Sequence, residues 1–411
     1  MTLKLPNSSM TIQQIVQQWP ETKDVFVAND LEELTTPDYL QRVGRFMKLE
    51  TALKRKGFAV ETFVKLLHDK ITTEAERVDV TAPESSHTGT ADIDVAGLLP
   101  CPVRVPLLEA VDRFVTDYST RSGLNISTRF RAASGGAEWI EEEIHAAKTE
   151  SALPDIFLSA GFDTFFDPEG IGRFSAAGAF HSIDYPSVNA DFAGLDMVDP
   201  QGHYSIIAVV PAVFMVDLRQ LGTTAVPRTW KALLEPEFER KVAMPVGDFD
   251  LFNAMLLTLH KEFGTAGIER LGHSMLEALH PAQMGNAQAA TERKPTVTIM
   301  PYFFTRMAQH IPGVEIVWPE DGAIISPIFM LTRSAQRDAS APLAEFLAGE
   351  EVGTIMAQQG LFPSLNPQVE NTLPTAAKWE WLGWDYIYSC DIAKRIKYLD
   401  KIFHAAFDAG A

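Results

Sequence analysis

Cysteine is almost missing from this chain of 411 residues, which contains only Cys101 and Cys390. Two cysteines cannot build a disulfide framework, and their scarcity is typical of proteins in a reducing compartment. The N-terminus lacks the basic start, apolar run and small-residue cleavage site of a secretory signal, and no segment reaches the roughly 18 apolar residues of a membrane span. We therefore expect a cytoplasmic protein without a membrane span, or a periplasmic one if a leader has been removed.

Sequence motifs that mark common enzyme classes are also missing. The chain has no phosphate-binding loop of the NTPase type, no dinucleotide-binding glycine fingerprint and no Gly-x-Ser-x-Gly elbow. Its ten histidines form no His-x-x-x-His or His-Glu-x-x-His pair that would hold zinc. We expect a protein that is not an enzyme and that needs no cofactor and no metal.

Positive charge is scarce. The formal net charge is −19, from 54 acidic and 35 basic residues. Such a charge repels phosphate backbones and anionic lipid, so we expect no nucleic-acid partner. The 46% of hydrophobic and 10% of aromatic residues are enough to build ordinary globular cores.

Three regions differ in pattern. Residues 1–72 show helix-period spacing of apolar residues, with Thr11 placed to cap the first helix, and predict a small all-helical domain. Residues 73–91 are polar and small, which is typical of a linker. Residues 92–411 alternate strand-like and helix-like segments and end in a helical, aromatic tail, so they predict an α/β fold with mainly parallel strands.

Several strands can be placed in the α/β region. A first strand ends before Pro100, and the long apolar run around Pro211 predicts two short strands that meet at a crossover. His260, His273 and His280 fall in segments that predict helix. The other predicted strands are Asn125–Phe130, Asp155–Leu158, Val242–Met244, Thr296–Met300, Val314–Val317 and Ala323–Phe329.

Small and polar residues follow these strands. Ligands of open parallel sheets bind beyond the carboxyl ends of the strands, so we expect these turns to form one ligand-binding cleft. The predicted ligand-binding residues are Cys101, Arg104, Ser134, Gly135, Gly136, Ser159, Gly161, Gly247, Asp248, Tyr302 and Ser326.

Some of these residues have two interpretations. The turn Ser134–Gly136 opens a helix, so its backbone N–H groups suit a carboxylate or phosphate, or Ser134 simply caps the helix. Cys101 is either a ligand contact or nucleophile, or a buried structural thiol. Arg104 either binds an anion or pairs with a surface acid. Asp248 and Asp250 either accept hydrogen bonds from a ligand or cap the next helix.

The order of the segments resembles a known family. The turn Ser-Gly-Gly opening a helix, the strand PDIFLS, the crossover YSIIAVVPAVFMVD and a Pro-x-x-Trp-x-x-Leu-Leu segment at Pro227, Trp230, Leu233 and Leu234 follow one another. This order is similar to type II periplasmic-type solute-binding proteins of ABC transporters, in particular the iron and sugar-phosphate branch. The resemblance implies a two-lobed fold that closes by a hinge on a small anionic or polyhydroxylated ligand, with an ABC permease as a partner.

The chain departs from that family in two respects. Ferric carriers of the family present adjacent tyrosines, whereas Tyr302 is followed by Phe303 and Phe304, so ferric capture by this motif is not expected. The export signal of the family is missing too. Two alternatives to a cytoplasmic sensor or carrier therefore stay open: a thiaminase-like enzyme on the same fold that uses Cys101 as nucleophile, and an exported transporter component whose leader is missing.

The N-terminal helical region resembles a module that precedes iron–sulfur repair and hybrid-cluster-type proteins. Members of that group often carry a cysteine there, but this chain has none between Met1 and Leu99. We expect the module to report ligand occupancy or to dock an unknown protein.

Overall fold

The structure is a computed structural model. It describes residues 6–8, 10–19, 22–23, 26, 31–36, 39–56, 60, 63–64, 67, 91–132, 138–183, 187–246, 250–279, 294–308 and 311–409. The chain divides into two compact units, Met1–Pro83 and Glu84–Ala411. Most of the predicted linker, residues 73–90, lies outside the described residues.

The first unit is helical, as the sequence predicts. Helix α1 spans Ile12–Gln18, α2 spans Leu49–Arg55, and a 3-10 turn (Glu32–Thr35) and a π-helical turn (Leu40–Gly44) lie between them. Thr11 caps α1, because its Oγ1 accepts a hydrogen bond from the Gln14 amide at 3.2 Å and its own amide donates to Gln14 Oε1 at 3.0 Å.

The described part of the second unit contains eleven strands. In chain order they are β1 (Ile93–Leu99), β2 (Ile126–Ala132), β3 (Ile156–Ala160), β4 (Phe180–His181), β5 (Ser205–Asp217), β6 (Val242–Pro245), β7 (Met275–Leu279), β8 (Val297–Pro301), β9 (Val314–Val317), β10 (Ala323–Arg333) and β11 (Trp379–Glu380).

Helices alternate with these strands along the chain. They are α3 (Arg104–Ser122), α4 (Glu138–Ala146), α5 (Asp163–Phe166), α6 (Ile171–Ala176), α7 (Leu218–Leu221), α8 (Trp230–Leu233), α9 (Asp250–Ser274), α10 (Thr305–Ala308), α11 (Arg337–Leu347), α12 (Glu350–Thr354), α13 (Trp384–Ser389) and α14 (Ile392–Ala409). Short 3-10 turns (Cys101–Val103, Glu150–Ala152, Ala190–Phe192, Pro236–Phe238, Tyr302–Phe304 and Ser334–Gln336) and a π-helical turn (Ile355–Gln359) join them.

The strand order β2-β1-β3-β10-β5-β8-β6-β7 defines two lobes. Lobe A is built on the parallel strands β2, β1 and β3, and lobe B on the parallel strands β8, β6 and β7, with β9 paired to β5. The long strands β5 and β10 run antiparallel to each other and join the lobes. This is the α/β two-lobed architecture that the sequence predicts. The pairing is mixed and not mainly parallel as predicted, because β10 pairs antiparallel with β3, β4 and β5, and β5 pairs antiparallel with β8 and β9.

The crossover differs from the prediction of two short strands. Strand β5 is one continuous strand of 13 residues. Its first half, up to Pro211, pairs with β10, and its second half, from Ala212, pairs with β8. Pro211 has no N–H to donate, and it lies where the pairing passes from one partner strand to the other, so the strand need not break there.

One predicted helix is wrong in part. The segment from His260 is helical up to Ser274 except for a break at Gly264, whose φ of +64° and ψ of −166° are not helical. The chain then forms strand β7 beside β6, and His280 lies outside the described residues. The apolar residues of this segment are compatible with a helix or a strand. Hydrogen-bonded pairing with β6, about 30 residues earlier in the chain, makes the segment a strand.

A buried ion pair fastens β3 to β10 within lobe A. Arg333 donates from Nε to Asp155 Oδ1 at 2.9 Å, and the same carboxylate accepts the Asp94 amide at 2.8 Å. Both partners are at least nine-tenths buried. Because the remaining carboxylate oxygen is also satisfied, the pair sets the alignment of β1, β3 and β10.

Candidate ligand-binding cleft

The turn after β3 meets the first residue of α9 across the two lobes. Gly161 lies at the end of β3 in lobe A, and Asp250 opens α9 after β6 in lobe B. A Cβ added to Gly161 would overlap the Asp250 carboxyl group and lie 2.9 Å from the Asp250 Cβ. With a φ of +108°, the Gly161 backbone is also one that L side chains rarely adopt. Glycine is therefore required here on two independent grounds.

The same turn contacts the crossover strand. The Gly161 amide donates to the Pro327 carbonyl at 3.3 Å. This contact places Gly161 beside Ser326, the neighbour of Pro327 in β10. Two of the predicted site residues, far apart in sequence, are therefore brought together.

Ser326 has a buried hydroxyl group without a hydrogen-bond partner, as do Thr258 and Thr332 among the described residues. The side chain is fully buried, and its Oγ has no hydrogen-bond partner in the part of the chain that the structure describes. An unsatisfied buried hydroxyl costs about 1–3 kcal/mol, so the group is expected to find a partner in a bound water or ligand. By contrast, the buried Ser159 hydroxyl donates to the Ala160 carbonyl at 3.1 Å.

Carboxyl groups gather around Asp250. Burial, followed by the charges of Asp163 and Glu141, raises the pKa of Asp250 well above its ordinary value. Asn253 Nδ2 donates to Asp163 Oδ2 at 3.3 Å, and Thr164 Oγ1 donates to Glu141 Oε1 at 2.6 Å. This arrangement offers several hydrogen-bond acceptors, and the raised pKa makes the Asp250 carboxyl group easier to protonate than an ordinary one.

A cavity of about 360 Å³ adjoins these carboxyl groups. It is lined by side chains of α4, α5, α9 and α14, among them Glu141, Asp163, His145 and Lys397. His145 Nε2 lies 2.8 Å from Asp167 Oδ2 on its wall. The volume is in the range of small-molecule sites.

Tyr302 follows β8, and its ring lies edge-on to Trp318 with centroids 5.1 Å apart. Burial raises the pKa of the Tyr302 hydroxyl, and the nearby Arg306 only partly offsets this effect. Among the described residues, no cluster of three or more His, Cys, Asp or Glu could hold a metal ion.

The remaining predicted residues are placed only in part. Arg104 is the first residue of α3, directly beyond β1, and is half-buried. Cys101 begins the turn before it, but its side chain is outside the description. Ser134, Gly135, Gly136, Gly247 and Asp248 lie outside the described residues.

The sequence did not single out Asp163 and Glu141. Asp163 follows Gly161 by two residues, so its place beyond a strand end was a usable signal. Glu141 is one of three consecutive acids in α4, and nothing in the sequence separates it from an exposed charge. Only the contact of α4 with α5, where Thr164 donates to Glu141, distinguishes Glu141 from an exposed charge.

Within the described residues, none of the helices is long and apolar enough to span a membrane.

Residues 151–390 match the family described as bacterial extracellular solute-binding protein, and residues 7–64 match a domain of unknown function. A search of the curated proteins found no match. The second match carries no assigned role, so the likeness of the N-terminal module to those of iron–sulfur repair and hybrid-cluster-type proteins stays a prediction.

Many solved structures share the fold. The apo ferric ion-binding protein A of Pasteurella haemolytica is 14% identical with a TM-score of 0.55, over 76% of this chain and 97% of that one. The periplasmic binding protein AfuA of Actinobacillus pleuropneumoniae, with fructose-6-phosphate bound, is 14% identical with a TM-score of 0.55, over 78% and 99%. An ABC-transporter substrate-binding protein of Agrobacterium tumefaciens is 18% identical with a TM-score of 0.53, over 79% and 96%.

These neighbours are binding proteins, and the thiaminase-like alternative finds no support among them. At such identities the structural likeness concerns the fold alone. The family match, however, covers more than half of the chain, from residue 151 to residue 390. The chain therefore belongs to the bacterial extracellular solute-binding protein family.

Proposed function

We propose that residues 92–411 capture a small polyhydroxylated solute by closing lobe A on lobe B. The observation that carries this proposal is the close approach of Gly161 and Asp250, which come from different lobes and lie beside the carboxyl groups of Asp163 and Glu141. Carboxylates accept hydrogen bonds from hydroxyl groups, so this cluster of acids suits a ligand that carries several hydroxyl groups. Ligand binding favours the closed form, because only that form brings both lobes to the ligand.

The chemistry of the cleft also suits an anionic group at one end of the ligand. Arg104 lies beyond the carboxyl end of β1 in lobe A, and Asp250 opens α9 beyond β6 in lobe B. Together with the turn predicted to attract anions at Ser134–Gly136, Arg104 would bind a phosphate or carboxylate. A sugar phosphate, such as the one named with the AfuA structure, has both kinds of group.

We further propose that the protein acts outside the cytoplasm and delivers its ligand to an ABC permease. The family description and the Agrobacterium neighbour support this role over that of a cytoplasmic sensor. The N-terminal helical domain would then dock a protein partner. Cell fractionation of the natural host with an antibody against the chain tests the location, and recovery only with cytoplasmic markers would exclude export.

The ligand proposal is tested on the purified full chain. Native mass spectrometry should show a co-purified small molecule, and thermal unfolding should shift upward with sugar phosphates or polyols, because a ligand at 100 times its Kd stabilises by about 2.7 kcal/mol. Asp250→Asn should reduce the shift, whereas Asp408→Asn, a change at an exposed acid of α14, should not. If no compound of either class shifts unfolding and nothing co-purifies, the proposal fails.

A further inference from the structure

A second contact joins the lobes, and the family match does not assign it. Arg306 lies in α10 of lobe B, directly after β8. Its Nη1 donates to the Gln359 carbonyl at 2.7 Å, and its Nη2 donates to the Gln358 carbonyl. These two carbonyls end the π-helical turn Ile355–Gln359.

That π-helical turn is part of lobe A. It continues α12, whose Glu351 forms an ion pair with Arg113 of α3. The residue after the turn, Gly360, lies so close to the Cys101–Val103 turn that an added Cβ would be 2.7 Å from Val103 Cγ1. The acceptors of Arg306 are therefore held by the elements that follow β1, while Arg306 moves with lobe B.

The contact suits a reversible latch. The last carbonyls of a helical segment have no partner within it and carry partial negative charge, so they favour a cation. An arginine presents two parallel N–H groups in one plane and can donate to both carbonyls at once. Because Arg306, Gln358 and Gln359 are exposed, water can replace these hydrogen bonds at little cost when the lobes separate.

We propose that Arg306 is a latch that sets the fraction of closed protein, and thereby the affinity for the ligand. It is a positioning residue, since it acts through lobe closure and not by touching the ligand. The expected effect on ligand affinity rests on the proposed capture function. The expected effect on the open–closed equilibrium does not. Loss of the latch should shift the open–closed equilibrium roughly tenfold towards the open form, which corresponds to about 1.4 kcal/mol.

The test measures the distance between the lobes without any ligand. Spin-labelled non-natural amino acids are placed in the full chain at Thr120 of lobe A and Lys261 of lobe B, both exposed, and pulsed electron resonance gives the distance distribution. Arg306→Ala should move population from the short distance to a longer one, and Arg306→Lys should lie between. Arg270→Ala, which removes the same charge from an exposed position of α9, should match the unaltered protein.

The inference is overturned if Arg306→Ala leaves the distribution unchanged, or if Arg270→Ala changes it equally. Thermal unfolding shows whether each variant is folded. If Arg306→Ala is not folded, the distance distribution of Arg306→Lys is used in its place. Once a co-purified ligand has been identified, its affinity for Arg306→Ala should fall by the same factor as the closed population. If the chain binds no ligand but Arg306→Ala still shifts it to the open form, the proposed capture function fails and the proposed latch stands.

Discussion

Replacing Gly161 by alanine should act through two separable effects. The first is backbone strain, because alanine at a φ of +108° is unfavourable by about 1–3 kcal/mol in open and closed forms alike. The second exists only when the lobes are closed, since the new Cβ overlaps the carboxyl group of Asp250 and lies 2.9 Å from its Cβ. We therefore expect a less stable protein that is also more open.

A double-mutant cycle separates the two effects. Asp250→Ala removes the overlapping carboxyl group, so the double variant should keep the strain and lose the larger part of the clash, with only the contact between the two Cβ atoms left. We expect the two changes to be coupled by about 1–2 kcal/mol, with the double variant more stable than the sum of the single changes. Urea unfolding followed by tryptophan fluorescence measures this coupling in the second unit, because every tryptophan except Trp19 lies there.

Lobe distances give the second readout of the same cycle. With labels at Thr120 and Lys261, Gly161→Ala should lengthen the distance and Asp250→Ala should restore it. Strictly additive unfolding energies, together with an unchanged distance in Gly161→Ala, would refute the contact between the lobes at this point. Gly178→Ala is the matched control, because its φ of +76° imposes similar strain and nothing lies within 4 Å of its added Cβ.

Three further predictions concern buried polar groups. Burial, with the charges of Glu262 and Asp321, raises the pKa of Glu380 from 4.5 to about 7. The folded form therefore holds this proton more tightly than the unfolded form does. The free energy of unfolding should fall by about 1 kcal/mol, after allowance for solvent screening, as the pH rises between these two pKa values. Glu380→Gln should flatten this dependence of unfolding free energy on pH. Asp155→Ala leaves the buried Arg333 without its carboxylate and should cost about 3–5 kcal/mol of unfolding free energy. Ser326→Ala removes an unsatisfied hydroxyl, so it should leave ligand-free stability equal or higher while it weakens ligand binding.

Each of these predictions can fail visibly. A Glu370→Gln control, at an exposed acid, should keep the pH profile of the unaltered protein, and a flattening there would remove the role of Glu380. A cost below about 1 kcal/mol for Asp155→Ala would show that the ion pair is only a surface-like contact. A clear loss of ligand-free stability in Ser326→Ala would mean that the hydroxyl has a partner within the protein.

The sequence by itself determined the class of the fold and many of its helices and strands. The strands at Val314–Val317 and around Asp155–Leu158, and the cap at Thr11, follow from residue type and spacing within a few positions of the chain. Turns such as that at Gly161 are likewise local, since glycine permits the positive φ. These features were predictable because short-range sterics and periodicity fix them.

The tertiary structure alone decided which residues meet. Strand β7 exists because β6 offers it a partner, and the acids Glu141, Asp163 and Asp250 form one cluster because α4, α5 and α9 converge from two lobes. The contact of Arg306 with Gln358 also joins two lobes. Such proximities depend on how strands pair over long stretches of chain and on how far the lobes close, and no local pattern of residues encodes either of them.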